Sequence, residues 1–178
     1  MSAVRPMKRD AGSHAPQLPA LDLQTLWFAT RRRPWRSLAV VPAAPGRSVV
    51  PVARALGDVG GFIRMNPVQV IEAEGMDLDA IATLAMDLTD HGDASSWTMN
   101  SPGRNGPLGW EPSAVAAEKA TIVALEAVVT NPLVLPVVLA ADAVLLCVEL
   151  GVTPLAAARR TIELIGRERI LGTVLLHR

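Results

Sequence analysis

"SLAVVPAAPGRSVVPVARAL", residues 37–56, decides how the chain is to be read. An unbroken apolar strand passes through a Pro-Gly turn into a segment of helix length, with Pro51 in the first helical turn, where a missing N–H costs little. Strand, glycine turn and helix make a phosphate-binding loop, because a helix N-terminus aims unbonded N–H groups at an anion. The lysine that completes such a loop is absent. Arg47 and Ser48 follow Gly46 instead.

The same alternation extends outward from this stretch. Residues 22–32 place Leu23, Leu26, Trp27 and Thr30 at helical spacing ahead of the strand, and residues 48–59 form a second helix that Gly60-Gly61 should end. A β-branched strand over 68–75 precedes a helix that carries Leu78, Ile81, Leu84, Ala85 and Leu88 on one face, with Asp77 near its start and Gly92 beyond its end. Residues 93–112 gather Gly, Pro, Ser and Asn into a long loop. Beyond it come "TIVALEAVV", a proline-interrupted apolar piece, "AVLLCVEL", a helix that Thr153 can cap with Pro154 at its first position, and a last strand over 170–176. Five apolar strands separated by helices predict an α/β, doubly wound, mostly parallel sheet of five or more strands, covered on both faces.

Bulk properties exclude several classes. With 178 residues, half of them apolar, the chain suits one domain, read as 21–178 behind a flexible tail over 1–20. The formal net charge of zero predicts no electrostatic grip on nucleic acid by the surface as a whole, and Arg31-Arg32-Arg33 with Arg36 reads as a solvated helix end. Cys147 sits in an apolar run and has no second cysteine to pair with, which fits a reducing, cytoplasmic setting. The opening residues lack a signal-peptide core, and Glu126, Pro132, Pro136 and Asp142 divide the apolar region 121–150 into pieces too short to span a bilayer. His14, His91 and His177 show no metal-binding spacing, and the loop serines Ser95, Ser96, Ser101 and Ser113 have no nearby histidine to activate them. Trp97 and Trp110 either anchor a partner or pack the loop onto the sheet.

The order of "LDLQTLWFATRRRPWRSLAVVPAAPG", "VQVIEAEG", "TIVALEAVV" and the block from Ala140 to Arg178 resembles the P-loop ATPase domain of bacterial tyrosine kinases of capsule and exopolysaccharide biosynthesis, related to the MinD/ParA ATPases. The resemblance covers roughly residues 21–178 and is strongest where Asp142, Gly151, Thr153, Arg159 and Ile170-Leu171-Gly172 follow the family pattern. It implies a P-loop NTPase-like fold and a remnant nucleotide site made of Gly46, Arg47, Ser48, Glu72, Glu74, Glu126 and His177. In that family the loop resembles A-x-P-G-E-G-K-[ST]. Here Ala44-Pro45-Gly46-Arg47-Ser48 is shorter and lacks the second glycine and the lysine, whose compact charge a planar guanidinium does not reproduce.

Further departures follow the same direction. Glu72 and Glu74 stand in place of the family's D-x-D, Glu126 in place of the Walker B aspartate, and His177 in place of the asparagine that contacts the base in ParA-like proteins. The chain contains no tyrosine, so self-phosphorylation on tyrosine is impossible. The ring-forming E-x-x-R-x-x-R motif falls on Leu21, Gln24 and Trp27, which leaves only apolar contacts for any homo-oligomer built on that helix. The resemblance therefore implies a non-catalytic pseudo-ATPase or pseudokinase without cofactor or metal. It would act by protein contacts through Trp27, Trp97 and Trp110, on a partner such as an inner-membrane polysaccharide co-polymerase that recruits it from the cytoplasm. Two other readings stay open. One is an ATPase or kinase that uses ATP and magnesium with Arg47, Ser48 and Glu126 in the lysine, hydroxyl and Walker B roles, and the other is a MinD/ParA-like positioning or scaffold protein.

Overall fold

Strand β1 (Ser37–Pro42) is buried on every residue, as a continuous apolar run in the middle of a parallel sheet must be. Its side chains alternate between two cores. Leu38 and Val40 join one cluster with Trp27, Leu56 and Ile122's face of the sheet, while Ala39 and Val41 join another with Ile81, Leu84, Val137, Val138 and Ile165. The computed structural model describes residues 21–64, 67–90 and 120–177. The tail over 1–20 and the 93–112 loop, with Trp97 and Trp110, lie outside the described residues.

Around β1 stand α1 (Leu21–Thr30), α2 (Val50–Arg64), β2 (Val68–Glu72), α3 (Leu78–Asp90), β3 (Ala120–Ala124), α4 (Leu135–Ala140), β4 (Ala143–Glu149), α5 (Leu155–Ile165) and β5 (Ile170–Leu176). The sheet has five strands in the order β2-β3-β1-β4-β5, and every pairing is parallel. Helices α1 and α2 cover one face and α3, α4 and α5 the other, as right-handed crossovers leaving β1 in one direction and β2, β3 and β4 in the other require. This is a doubly wound α/β fold.

Three local expectations are corrected. Helix α2 does not stop at Gly60-Gly61 but runs through both to Arg64. The reason is tertiary: Gly60 lies under the Trp27 ring, in the space a Cβ would need, and that contact outweighs the roughly 1 kcal/mol that a mid-helix glycine costs. Thr153 does not cap α5. Its hydroxyl accepts the Glu149 N–H at 2.9 Å to close the turn after β4, and Pro154 sits at the N-cap with no side-chain bond. Leu78 belongs to no core face, being 58% exposed, whereas Asp77 does cap α3, with its Oδ1 2.9 Å from the Ala80 N–H.

The N-terminal ends of β1 and β4 are tied by one carboxylate. Asp142 Oδ2 accepts from the Arg36 N–H at 2.8 Å, the Ser37 N–H at 2.9 Å and the Ser37 hydroxyl at 3.1 Å, and its own N–H donates to Ser37 Oγ at 3.0 Å. Cys147 is buried in β4 beside Leu145 and Val40, so it packs as a small hydrophobe. Burial pushes its thiol from 9.0 up to about 12. Because the folded value lies above the unfolded one, the associated stability is complete below pH 9 and is lost as pH rises towards 12. Compared with Cys147→Ala, the wild-type chain should therefore lose additional stability above pH 9, on the order of a few kcal/mol, in urea melts run across that window. Parallel curves for the two proteins would show that the thiol does not titrate on unfolding.

Candidate functional site

In an open parallel sheet, ligands bind outside the carboxyl ends of the strands, where neighbouring strands lead their connections to opposite sides. Here that point lies between β1, which leads to β2, and β4, which leads to β5. The Ala44–Ser48 connection borders it on one side and the Leu150–Thr153 turn on the other. Beneath it, the Ala43 N–H donates to the Cys147 carbonyl at 2.8 Å, and the fully buried Thr161 of α5 donates its hydroxyl to the Ala43 carbonyl at 3.0 Å. Gly46, with φ at +146°, takes the backbone through a conformation that side-chain-bearing residues rarely adopt.

All seven residues that the resemblance assigns to a nucleotide site lie along this carboxyl edge, but they do not converge. Ser48 turns towards β2: its hydroxyl donates to Glu74 Oε1 at 2.9 Å and accepts the Val50 N–H at 3.1 Å. The same carboxylate oxygen accepts the Val49 N–H at 3.0 Å. Arg47 turns the other way and donates from one guanidinium nitrogen to the His177 backbone carbonyl at 3.1 Å, beyond β5. Since β2 and β5 are the opposite edge strands, adjacent residues in the sequence reach towards opposite ends of the sheet. Of His177, only the backbone takes part in the Arg47 contact.

The other acids are held locally. Glu72 pairs with Arg54 of α2, through Arg54 Nε at 2.6 Å and a second guanidinium nitrogen. Glu126 accepts the Gly75 N–H at 2.9 Å on one oxygen and the Asn131 side-chain amide at 2.8 Å on the other. Asn131 in turn accepts the Leu133 N–H at 3.2 Å and caps the short 3-10 turn Pro132–Val134 that precedes α4. Glu126 therefore fastens the β2 and β3 loops to each other. Arg54, Gly75 and Asn131 are the residues that sequence reasoning missed. Only Asn131-Pro132 carried a local signal, that of a capping residue before a proline.

The chemistry of this edge follows from those bonds. The first N–H groups of α2, the ones a phosphate would need, are taken by Glu74 and Ser48. A carboxylate at a helix N-terminus is well placed, because it meets the positive end of the helix dipole and makes charge-assisted hydrogen bonds. Glu74 thus sits where an anion would bind. No family model, curated protein or solved structure matches the chain. What the arrangement offers must therefore be read from its own residues. Glu72, Glu74, Glu126 and Glu149 lie along this edge with Arg47 and with Arg54, which is paired with Glu72. Among the described residues no group of three or more His, Cys, Asp or Glu side chains is placed to hold a metal ion.

Trp27 was a candidate for binding a partner, and the structure corrects this. It is 2% exposed, with its ring against Gly60 and edge-to-face with Trp35 at a centroid distance of 5.7 Å. The face that α1 turns to solvent carries Leu21 and Phe28 instead, at 77% and 58% exposure. No described helix is long and apolar enough to cross a membrane.

Proposed function

We propose that the chain is a non-catalytic, P-loop-like domain that works through protein contacts. The observation that carries this reading is the Glu74 carboxylate at the start of α2, which takes the Val49 N–H and the Ser48 hydroxyl together. A phosphate loop filled by the chain's own anion has no open seat for a β-phosphate, and Arg47 points away from it. The resemblance noted in the sequence sets this contact function in capsule or exopolysaccharide assembly, with the cytoplasmic part of an inner-membrane co-polymerase as partner.

Calorimetry of the purified chain with ATP and magnesium tests the reading. The expected result is binding no tighter than about 1 mM, worth about 4 kcal/mol. Capture of the chain on an immobilised co-polymerase segment should also proceed equally with and without nucleotide. A dissociation constant in the low micromolar range that Arg47→Ala abolishes would instead establish Arg47 as the working cation and an ATPase or kinase activity. Capture that requires ATP would favour a nucleotide-gated positioning protein.

A further inference from the structure

Strand β5 is an outer strand of the sheet: it pairs with β4 on one side, and among the described residues no strand pairs with its other side. With seven residues it is as long as β4, the longest strand inside the sheet. Sheet edges usually protect themselves from a second backbone by being short, charged or interrupted by proline. The opposite edge follows that rule, since β2 has five residues, carries Gln69 and closes on Glu72, which is paired with Arg54. β5 does not. It reads "ILGTVLL", with no charge and no proline, none of its seven residues is buried, and Leu175 is 54% exposed. The strand is regular from Gly172 to Leu176, beyond a register shift at Leu171. Within that part the Leu176 carbonyl accepts the Leu150 N–H, so Gly172, Val174 and Leu176 turn their backbone groups to β4, and Thr173 and Leu175 turn theirs outward. No described atom lies within 4 Å of where a Cβ on Gly172 would stand, which leaves a notch in the surface there.

We propose that β5 pairs antiparallel with β5 of a second copy of this chain, about a two-fold axis through Val174, so that two five-stranded sheets join into one. A second copy is the partner that fits because the strand complements itself in that register. Thr173 and Leu175, the two residues with outward backbone groups, then stand opposite each other across the axis and exchange both hydrogen bonds, in two symmetric pairs. Gly172 comes opposite Leu176 of the second copy on the face of α1 and α2, so a large side chain fills the notch beside the glycine. Val174 meets its own copy, and the paired residues 172–176 bring no charge against a like charge. Area sets the strength of the contact. Seven residues give an edge about 23 Å long, and a sheet with a helix layer on each side is about 20 Å thick, so the contact covers about 450 Å² per copy, roughly half of a standard interface. The dimer is therefore a weak one, populated at high micromolar concentrations of chain.

Sedimentation velocity of the full chain from about 5 to about 500 µM tests the proposal. A reversible monomer–dimer equilibrium is expected, and Leu175→Lys should weaken it at least about tenfold with an unchanged thermal midpoint, because the side chain it replaces is exposed. Oxidative cross-linking tests the register without depending on that variant. The natural thiol, Cys147, is buried with its pKa pushed up to about 12 and does not compete. A mixture of Thr173→Cys and Leu175→Cys chains should form a disulfide between the two, since residues in a hydrogen-bonded antiparallel pair have Cα atoms about 5.5 Å apart. Each variant alone should cross-link far less, because its two cysteines are offset along the strands by more than about 7 Å. The proposal fails if the chain stays monomeric at the highest concentration, or if the single-variant samples cross-link as well as the mixture. It also fails if Leu175→Lys leaves the dimer intact while Phe28→Glu dissolves it, which would put the contact on α1.

Discussion

Replacing Trp27 with alanine should lower stability by about 3–5 kcal/mol and the melting temperature by about 10 °C or more. The ring is the largest fully buried side chain among the described residues, and it joins three elements: α1, which it belongs to, α2 through Gly60, and the turn into β1 through Trp35. Removing it leaves a cavity between two helices that a short, ten-residue α1 cannot close by itself. Gly60→Val approaches the same contact from the other side. Its added carbons would enter the space of the Trp27 ring, and overpacking of this kind costs about 1–3 kcal/mol on top of the β-branched residue's own strain. Thermal and urea unfolding of both variants measures this. A Trp27→Ala protein that melts within a degree of wild type would mean that α1 is not docked on α2 and that Trp27 is free to meet a partner after all.

Glu74→Ala should have two effects that are separable. Losing the carboxylate that accepts from Val49 and Ser48 should cost about 1–2 kcal/mol, as the loss of a helix cap does. It should also empty the start of α2, so phosphate or sulfate at millimolar concentration should raise the melting temperature of the variant by more than that of wild type. Differential scanning fluorimetry across an anion series reads both. Equal anion responses in the two proteins would show that Glu74 does not fill the seat, and the non-catalytic reading would lose its main support. A variant that gains magnesium-dependent ATP turnover would show that the site is held shut rather than lost.

Strand positions were legible because they depend on runs of apolar residues, and the observed β1, β4 and β5 fall on "SLAVVP", "AVLLCVE" and "ILGTVLL". The fate of Gly60-Gly61 was not legible. A glycine pair signals a helix end unless a ring arrives from elsewhere to use the missing Cβ, and that ring stands thirty-three positions earlier. The candidate site divides in the same way. Residue types along the carboxyl edge could be named from the chain, whereas their directions could not: Arg47 and Ser48 are neighbours in sequence and diverge across the sheet.

By itself, then, the sequence determined the alternation of strand and helix, the burial of Cys147 and the absence of any tyrosine, because each is a property of local pattern or composition. Only the tertiary structure decided that Glu74 closes α2, that Trp27 is core and that β5 stands at an edge of the sheet. Those outcomes depend on which segments the parallel crossovers bring together. Strand order and handedness place residues 25 to 135 positions apart within hydrogen-bonding distance, and no periodicity in the chain records it.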